Sequence, residues 1–365
     1  MAWNWQLPGW PKFTYDSCRT TQKERQFLVG SGGSFAFLKN ITKEERNQFI
    51  IEILSVEGME SSKIEGEILE RESLQSSIKR HFGLHAEVKE GAKKELGMGK
   101  LLCSVYETFD EPLTNEMLLE WHSMLFKDCS KLEDVGKYRT HVELMQIVSS
   151  RLDAPRVFFE APPSKNVPHE MALFIDWFNS SCKEPILERA AIAHVYFESI
   201  HPFEDGNGRI GRILVEKILS QGVGQPVLIA VSKSIEKKKK EYYLELGKCN
   251  LTLEVSDWVD FFAERILQAQ NDSMLFLNFI IQKTKMLRAL SGQLNLRQEK
   301  VLLRMFEEGP TGFIGGLSAE KYIAISKGSR ATATRDLADL VEKGALVKTG
   351  ELRYTRYLLK FPSPV

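Results

Sequence analysis

The chain is 365 residues long and 43% hydrophobic, enough to bury cores in two or three domains and too apolar for a disordered chain. Its 49 basic and 49 acidic side chains cancel, which excludes a global field drawing it to nucleic acid or to a membrane surface. Five cysteines, odd in number and without metal-ligand spacing, read as reduced thiols of a cytosolic protein.

The opening, Met-Ala-Trp-Asn-Trp-Gln, lacks a basic stretch followed by an apolar run, so no secretory signal is expected. No run of about 18 apolar residues offers a membrane span, and a cytoplasmic protein without a membrane partner is expected. The first forty residues are aromatic and turn-rich (Trp3, Trp5, Trp10, Phe13, Tyr15) and suggest an irregular cap. Thr42-Lys43-Glu44-Glu45 has capping-box spacing and opens a predicted helix to about residue 57. Helices are predicted over 61–81, 88–109 and 115–126. Residues 145–161 read as a hairpin, two apolar runs around Asp153-Ala154-Pro155. Helices resume over 168–179 and 185–200, then after residue 209, where Ile210, Leu214 and Ile218 recur every fourth residue. Two more are predicted over 234–246 and 256–290, the long one free of Gly and Pro. Lys237–Lys240 reads as one solvated helical turn.

After Ser291-Gly292 the composition shifts. Helices over 297–307, 318–325 and 329–343 precede two short strands, Ala345–Val347 and Tyr354–Leu359. That order is the one of a winged helix-turn-helix. Residues 296–365 carry 12 Lys and Arg against 8 Asp and Glu, a modest net of +4 with the sign that DNA requires. Arg330, Thr332, Thr334 and Arg335 would lie on the recognition helix, and Lys348, Arg353 and Arg356 on the wing. Binding of DNA and binding of protein stand about even for this block.

Residues 201–212, His-Pro-Phe-Glu-Asp-Gly-Asn-Gly-Arg-Ile-Gly-Arg, carry the densest chemistry. Gly206 and Gly208 let the backbone turn sharply and approach a ligand at a helix start, where free N–H groups and the dipole favour an anion. Arg209 and Arg212, three apart, share one face of the first turn and can grip phosphate oxygens. Asp205 can offer a carboxylate oxygen to Mg²⁺. His201, at a helix end before Pro202, can take a proton near neutral pH if its pKa stays at its ordinary value of about 6.5. Asn207 can donate to a phosphate or support the loop as a left-handed residue. Each feature alone fits an ordinary loop, cap or solvated face; together they read as a nucleotide-triphosphate site.

The string resembles the signature of the Fic (filamentation-induced-by-cAMP) family, His-Pro-Phe-x-Asp/Glu-Gly-Asn-Gly-Arg-x-x-Arg, at every fixed position. The resemblance implies a mainly α Fic-type helical bundle with a small β-hairpin flap. It also implies transfer of AMP from ATP to a Ser, Thr or Tyr hydroxyl of a target protein, with pyrophosphate released. His201 would be the general base and Asp205 the Mg²⁺ ligand. Gly206, Asn207, Gly208, Arg209, Ile210, Gly211 and Arg212 would bind ATP, with the arginines on its outer phosphates. Gly136-Lys137-Tyr138-Arg139 is similar to a family segment upstream of the hairpin, which in the family holds the target by strand pairing. Tyr243, ahead of Tyr242, would contact the adenine. Ser61-Ser62-Lys63-Ile64-Glu65-Gly66 resembles the family's inhibitory helix, Ser/Thr-x-x-x-Glu-Gly/Asn. Ser61, Glu65 and Gly66 would then form a brake in which Glu65 pairs with Arg212 and occupies the γ-phosphate position, within one chain or across a homodimer. The N-terminal opening is similar to the leader of a bacterial subfamily with this layout.

The expected organisation is an N-terminal helical region over 1–112, a Fic catalytic domain over 113–250, a helical linker over 251–295 and the winged helix-turn-helix over 296–365. Two other readings stay open: removal of AMP or another Fic phosphotransfer, and a regulator whose winged helix binds DNA while the Fic site senses nucleotide.

Overall fold

The computed structural model describes residues 2–86, 93–127, 129–148, 157–310 and 312–361. The chain divides into two compact units, residues 1–39 with 50–273, and residues 40–49 with 274–365. Fourteen α-helices and two antiparallel hairpins are present among the described residues, and none of these helices is long and apolar enough to cross a membrane.

The N-terminal segment is irregular only to residue 20. There Trp10 and Phe13 pack edge-on against Tyr196 at 5.2 and 6.0 Å, and the buried Asn4 donates to Ser199 Oγ at 2.7 Å. Against expectation, α1 (Thr21–Lys39) follows as a regular helix. Its glycines, Gly30, Gly32 and Gly33, lower helix propensity and hid it. Tertiary contact overrides them: Gln270 donates to Phe27 O and Ser31 Oγ at 2.9 Å, and a Cβ on Gly30 would lie 2.4 Å from the Gln270 oxygen.

The capping box at Thr42 forms as expected, with Thr42 N–H donating to Glu45 Oε2 at 2.8 Å and Glu45 N–H to Thr42 Oγ1 at 3.2 Å. The helix it opens, α2 (Lys43–Ile64), runs past the predicted end at 57. The single helix expected over 61–81 does not exist. Gly66 sits at φ +82°, Glu67 N–H donates to Ser62 O at 2.9 Å and Gly66 N–H to Lys63 O at 3.0 Å. This is a Schellman closure, which needs a residue that tolerates the left-handed region just past the helix. The chain restarts as α3 (Arg71–His81).

Next come α4 (Lys93–Glu107) and α5 (Asn115–Phe126), the latter capped by Thr114 Oγ1 at 3.1 Å from Met117 N. The part of the predicted helix over 88–92 lies outside the described residues. So does the predicted turn at 153–155, between β1 (Gln146–Val148) and β2 (Val157–Glu160). These strands pair antiparallel with Ile147 opposite Phe159 and a register shift before Val148.

α6 (Val167–Ser180), α7 (Ile186–Ile200) and α8 (Asn207–Val223) complete the centre of the first unit. Every residue of α7 except Glu198 is buried, as befits a helix surrounded by others. The helix expected over 234–246 is two, α9 (Val231–Lys237) and α10 (Lys239–Cys249), broken at Lys238. Like charges three and four apart, Lys233, Lys237 and Lys240, weaken a continuous helix there. α11 (Ser256–Ala289) is uninterrupted.

The second unit carries α12 (Leu296–Glu307), α13 (Ala319–Ser326), α14 (Arg330–Glu342), β3 (Leu346–Thr349) and β4 (Arg356–Leu359). The two strands pair antiparallel with Leu346 opposite Leu359. Val301, Leu302, Leu317, Tyr322, Leu337 and Leu346 form its core. Asp336 ties three helices, accepting from Arg297 Nε and Tyr322 Oη at 2.9 Å and from Asn295 Nδ2 at 3.1 Å.

Candidate active site

The site is built where α7 ends and α8 begins. His201 caps α7 in the left-handed region at φ 50°, and its N–H donates to Phe197 O at 3.0 Å. A side chain in that region costs about 1–2 kcal/mol, and Pro202 forbids further helix. Arg139 holds the turn. Its Nε donates to His201 O at 2.8 Å, Nη1 to Ser164 Oγ at 2.9 Å and Nη2 to Pro162 O at 2.5 Å, while its own N–H bonds Pro202 O at 3.0 Å. The segment Gly136–Arg139 therefore supports the backbone of the histidine turn.

The His201 imidazole is 12% exposed, with Nδ1 3.8 Å from Glu198 Oε2. Burial, helped by the charge of Arg139, pulls its pKa down to about 4 instead of the expected 6.5. At neutral pH the ring is uncharged, the form that accepts a proton.

The loop after it is braced from two sides. Asn207 Oδ1 accepts from Phe203 N at 2.9 Å, and its Nδ2 donates to Phe203 O at 2.8 Å. Its side chain is thus spent within the loop, and only its backbone can meet a phosphate. Nor is Asn207 left-handed: Gly206 takes that conformation, at φ +85°, and Asn207 starts α8. A Cβ on Gly206 would fall 2.6 Å from the Phe126 ring. His122 stacks on Phe203 at 4.2 Å. Its Nδ1 accepts from Gly136 N at 3.0 Å, so Nε2 carries the proton and donates to Asp205 O at 3.2 Å.

The first N–H groups of α8 have no partner within the helix and face an anion by default. The carboxylate of Glu65 already stands there. A Cβ on Gly208 would lie 2.1 Å from Glu65 Oε1 and 3.0 Å from Arg212 Nη1, so only glycine admits that carboxylate. Arg212, its side chain 1% exposed, donates through Nη2 to Glu65 Oε1 at 2.8 Å and to Ser61 O at 2.9 Å, and through Nε to Ser61 Oγ at 2.9 Å. Ser61 lies in the last turn of α2, and Glu65 is the residue just past it, before Gly66 turns the chain away.

Arg209 is matched by a second acid of the same turn, Glu67, at 2.6 Å, and by Asp205 at 3.2 Å, and stacks over Phe126 at 4.8 Å. Glu67 also pairs with Lys94 at 2.7 Å. Asp205 takes Gly206 N and Arg209 on Oδ1. Its carboxylate is 55% exposed, and among the described residues none donates to Oδ2. Magnesium is commonly held by one or two carboxylates plus substrate phosphates, which this lone carboxylate beside an anion site fits. Among the described residues no group of three or more His, Cys, Asp or Glu forms a metal cage.

Two of the residues expected to bind ATP face inward in this structure. Ile210 is fully buried in the core, and Gly211 packs against α7, where a Cβ would lie 2.8 Å from Glu198 Oε1 and 3.1 Å from His194. Tyr243 is half exposed and donates to Ile64 O at 3.2 Å. Tyr242 is buried against His194 Nε2 at 2.8 Å. Glu67, His122 and Glu198 were not singled out by sequence. Glu67 had a signal, an acid two residues past Glu65; the other two lack one outside three dimensions.

With this geometry the chain finds its relatives. Residues 112–219 match the Fic/DOC family, and residues 3–84 match a domain of unknown function, DUF4172. The chain carries a Fic/DOC domain, and that domain holds the whole His201–Arg212 turn. It is 28% identical over 183 residues to a probable protein adenylyltransferase of Aquifex aeolicus, covering 50% of this chain and 49% of that one. It is 30% identical over 154 residues to the protein adenylyltransferase fic-1 of Caenorhabditis briggsae, covering 41% and 27%. The chain thus spans about half the length of the first relative and about a quarter of the second. In fold it resembles a Fic family protein of Desulfovibrio desulfuricans, with TM-score 0.54, 20% identity, and 97% and 99% of the two chains covered. A Fic domain containing signaling protein of Bacteroides thetaiotaomicron gives TM-score 0.53, 20% identity, and 71% and 96%.

Proposed function

We propose that the protein is a cytosolic, autoinhibited protein adenylyltransferase that moves AMP from ATP to a Ser, Thr or Tyr hydroxyl of a target protein. In the reaction, the hydroxyl oxygen bonds the α-phosphorus, the bond to the β-phosphate bridging oxygen breaks, pyrophosphate leaves, and the hydroxyl proton passes to His201. The N-terminus of α8 and Arg209 and Arg212 offset the charge of the phosphates, the kind of fixed electrostatic support on which phosphoryl-type transfer relies. Asp205 would hold Mg²⁺, which neutralises phosphate charge when bound. Tyr243 would line the adenine end.

The observation that carries the reading is the carboxylate of Glu65 on Arg212, at the helix N-terminus where a phosphate belongs. Because donor and acceptor belong to one chain, the proposed inhibition needs no second copy. Incubation with ATP labelled at the α-phosphate tests it. Glu65→Gly is expected to label itself and targets faster than the native protein, and Glu65→Gly with His201→Ala not at all. Equal labelling by all three would refute both roles.

A second activity is supported by the C-terminal block, whose order of helices and hairpin suits a winged helix binding DNA. Arg330, Thr334 and Arg335 are exposed on α14, and Lys348 and Arg353 on the hairpin. Replacing Arg330 and Arg335 by Ala is expected to weaken duplex binding and flatten its salt dependence. Absence of duplex binding in a low-salt anisotropy titration would assign the block to protein contact instead.

A further inference from the structure

Glu198 stands apart from the rest of the helix that carries it. It is the one residue of α7 outside the buried set, yet its side chain is only 10% exposed. Its Oε1 is buried without a hydrogen-bond partner, and so is Nδ1 of His201. The other carboxylate oxygen lies 3.8 Å from that same nitrogen. A buried ring nitrogen without a partner thus has a carboxylate one turn away, whose near oxygen is Oε2 and whose far oxygen, Oε1, is itself unsatisfied. Buried polar groups normally find partners, and an unsatisfied one costs about 1–3 kcal/mol. The space for the carboxyl is made by Gly211, whose Cβ would intrude to 2.8 Å.

We propose that Glu198 is a positioning residue for His201: its carboxylate accepts the Nδ1–H of the imidazole, so that the ring presents a bare Nε2 to the target hydroxyl. The proposal rests on the adenylyl-transfer reading above. An orienting acceptor behind a general base is a recurring arrangement, because it sets both tautomer and ring direction. The present 3.8 Å is an ion-pair distance, and catalytic hydrogen bonds often close only when substrate is bound.

The surroundings tie this contact to the brake. Glu65 from the end of α2 and Arg212 from α8 both act on the Glu198 carboxyl, with Tyr242 and Tyr243 of α10 close by, and Arg139, the main-chain carbonyl of Glu198, Glu65 and Asp205 act on the ring. Burial, then the charge of Glu65, pushes the Glu198 carboxyl up to about 8, against the pull of Arg212. A protonated Glu198 keeps a carbonyl oxygen that can accept Nδ1–H but adds a competing O–H donor, so it holds the ring less firmly than the carboxylate does. Withdrawal of Glu65 from Arg212 lifts the smaller of these two upward causes, burial being the larger, and opens the phosphate position at the same time.

The test uses the full chain carrying Glu65→Gly, alone and combined with Glu198→Gln or Glu198→Leu. Turnover is followed with α-labelled ATP across pH, and the ring nitrogens of His201 by ¹⁵N NMR. Glu198→Leu is expected to lower kcat by about 10- to 100-fold with little change in KM for ATP. It should also move the acid limb to lower pH and mix the tautomers; the isosteric Glu198→Gln, which keeps an acceptor, should recover part of kcat. Unchanged kcat and acid limb in Glu198→Leu overturn the proposal and assign Nδ1 to the main-chain carbonyl of Glu198. If Glu65→Gly shows no labelling, the transferase reading fails, while the tautomer measurement still decides the Glu198 contact: Nδ1–H lost in Glu198→Leu supports it, and Nδ1–H retained overturns it.

Discussion

Gly66 offers a way to open the proposed brake without touching a charge. It closes α2 in the left-handed region at φ +82°, and a Cβ added there would meet nothing within 4 Å. Gly66→Ala therefore acts only through the backbone, at about 1–2 kcal/mol for a side chain in that region. The Schellman closure it disturbs aims Glu65 at Arg212 and Glu67 at Arg209, so one substitution loosens both contacts. If opening the turn relieves the whole penalty, the population with both arginines free rises roughly 5- to 30-fold, taking RT as about 0.6 kcal/mol. Labelling from α-labelled ATP should rise by that factor, short of the level of Glu65→Gly. Gly224→Ala is the control. It stands at φ +76° beyond the far end of α8, again with nothing within 4 Å, and should destabilise comparably without raising labelling. The reasoning is refuted if Gly66→Ala loses stability as Gly224→Ala does and labels no faster than the native chain.

Glu67→Gln should raise labelling about 2- to 5-fold, less than Glu65→Gly, because a partly exposed pair that Glu67 shares with Lys94 is worth only about 0.5–1 kcal/mol; no gain in a Glu67→Gln time course would remove Glu67 from the brake. Glu216, buried on α8 with Oε2 unpartnered, has its pKa raised well above the carboxylate range by burial and by Glu57. A carboxyl raised on folding supports stability below its unfolded pKa and loses that support as pH rises. Glu216→Gln should therefore gain stability relative to the native chain from pH 5 to pH 8, by at most about 1.4 kcal/mol per unit. Urea unfolding at both pH values reads this, and an equal difference at the two would contradict it.

Much of the site was legible because the His201–Arg212 string is local. Consecutive residues at one helix junction must share one place, so their roles could be read before any fold was known. The same holds for Ser61 and Glu65, four residues apart on one turn. What sequence hid depends on chain meeting chain. α1 was masked by glycines whose cost is offset by Gln270, and the break at Gly66 was passed over because the helical pattern resumes at residue 71. The His201 pKa was misjudged for the same reason: burial and Arg139, 62 positions away, set it. Ile210 and Gly211 belong to the string while facing the core and α7, since a helix presents only part of each turn to any one side.

The two halves of the proposed inhibitory contact differ in how they are held, and this decides what release would require. Arg212 sits on α8 with its side chain buried, and α8 packs on α7, a helix buried on nearly every face. Glu65 stands on a helix end, its side chain 29% exposed, secured by two main-chain hydrogen bonds around one glycine. Opening one Schellman turn is a local event, well below the free energy of unfolding a core. The proposed brake can therefore lift while His201, the Asn207-braced loop and both arginines keep their places. Any signal that bends the chain between Ile64 and Arg71 would reach the site through that turn.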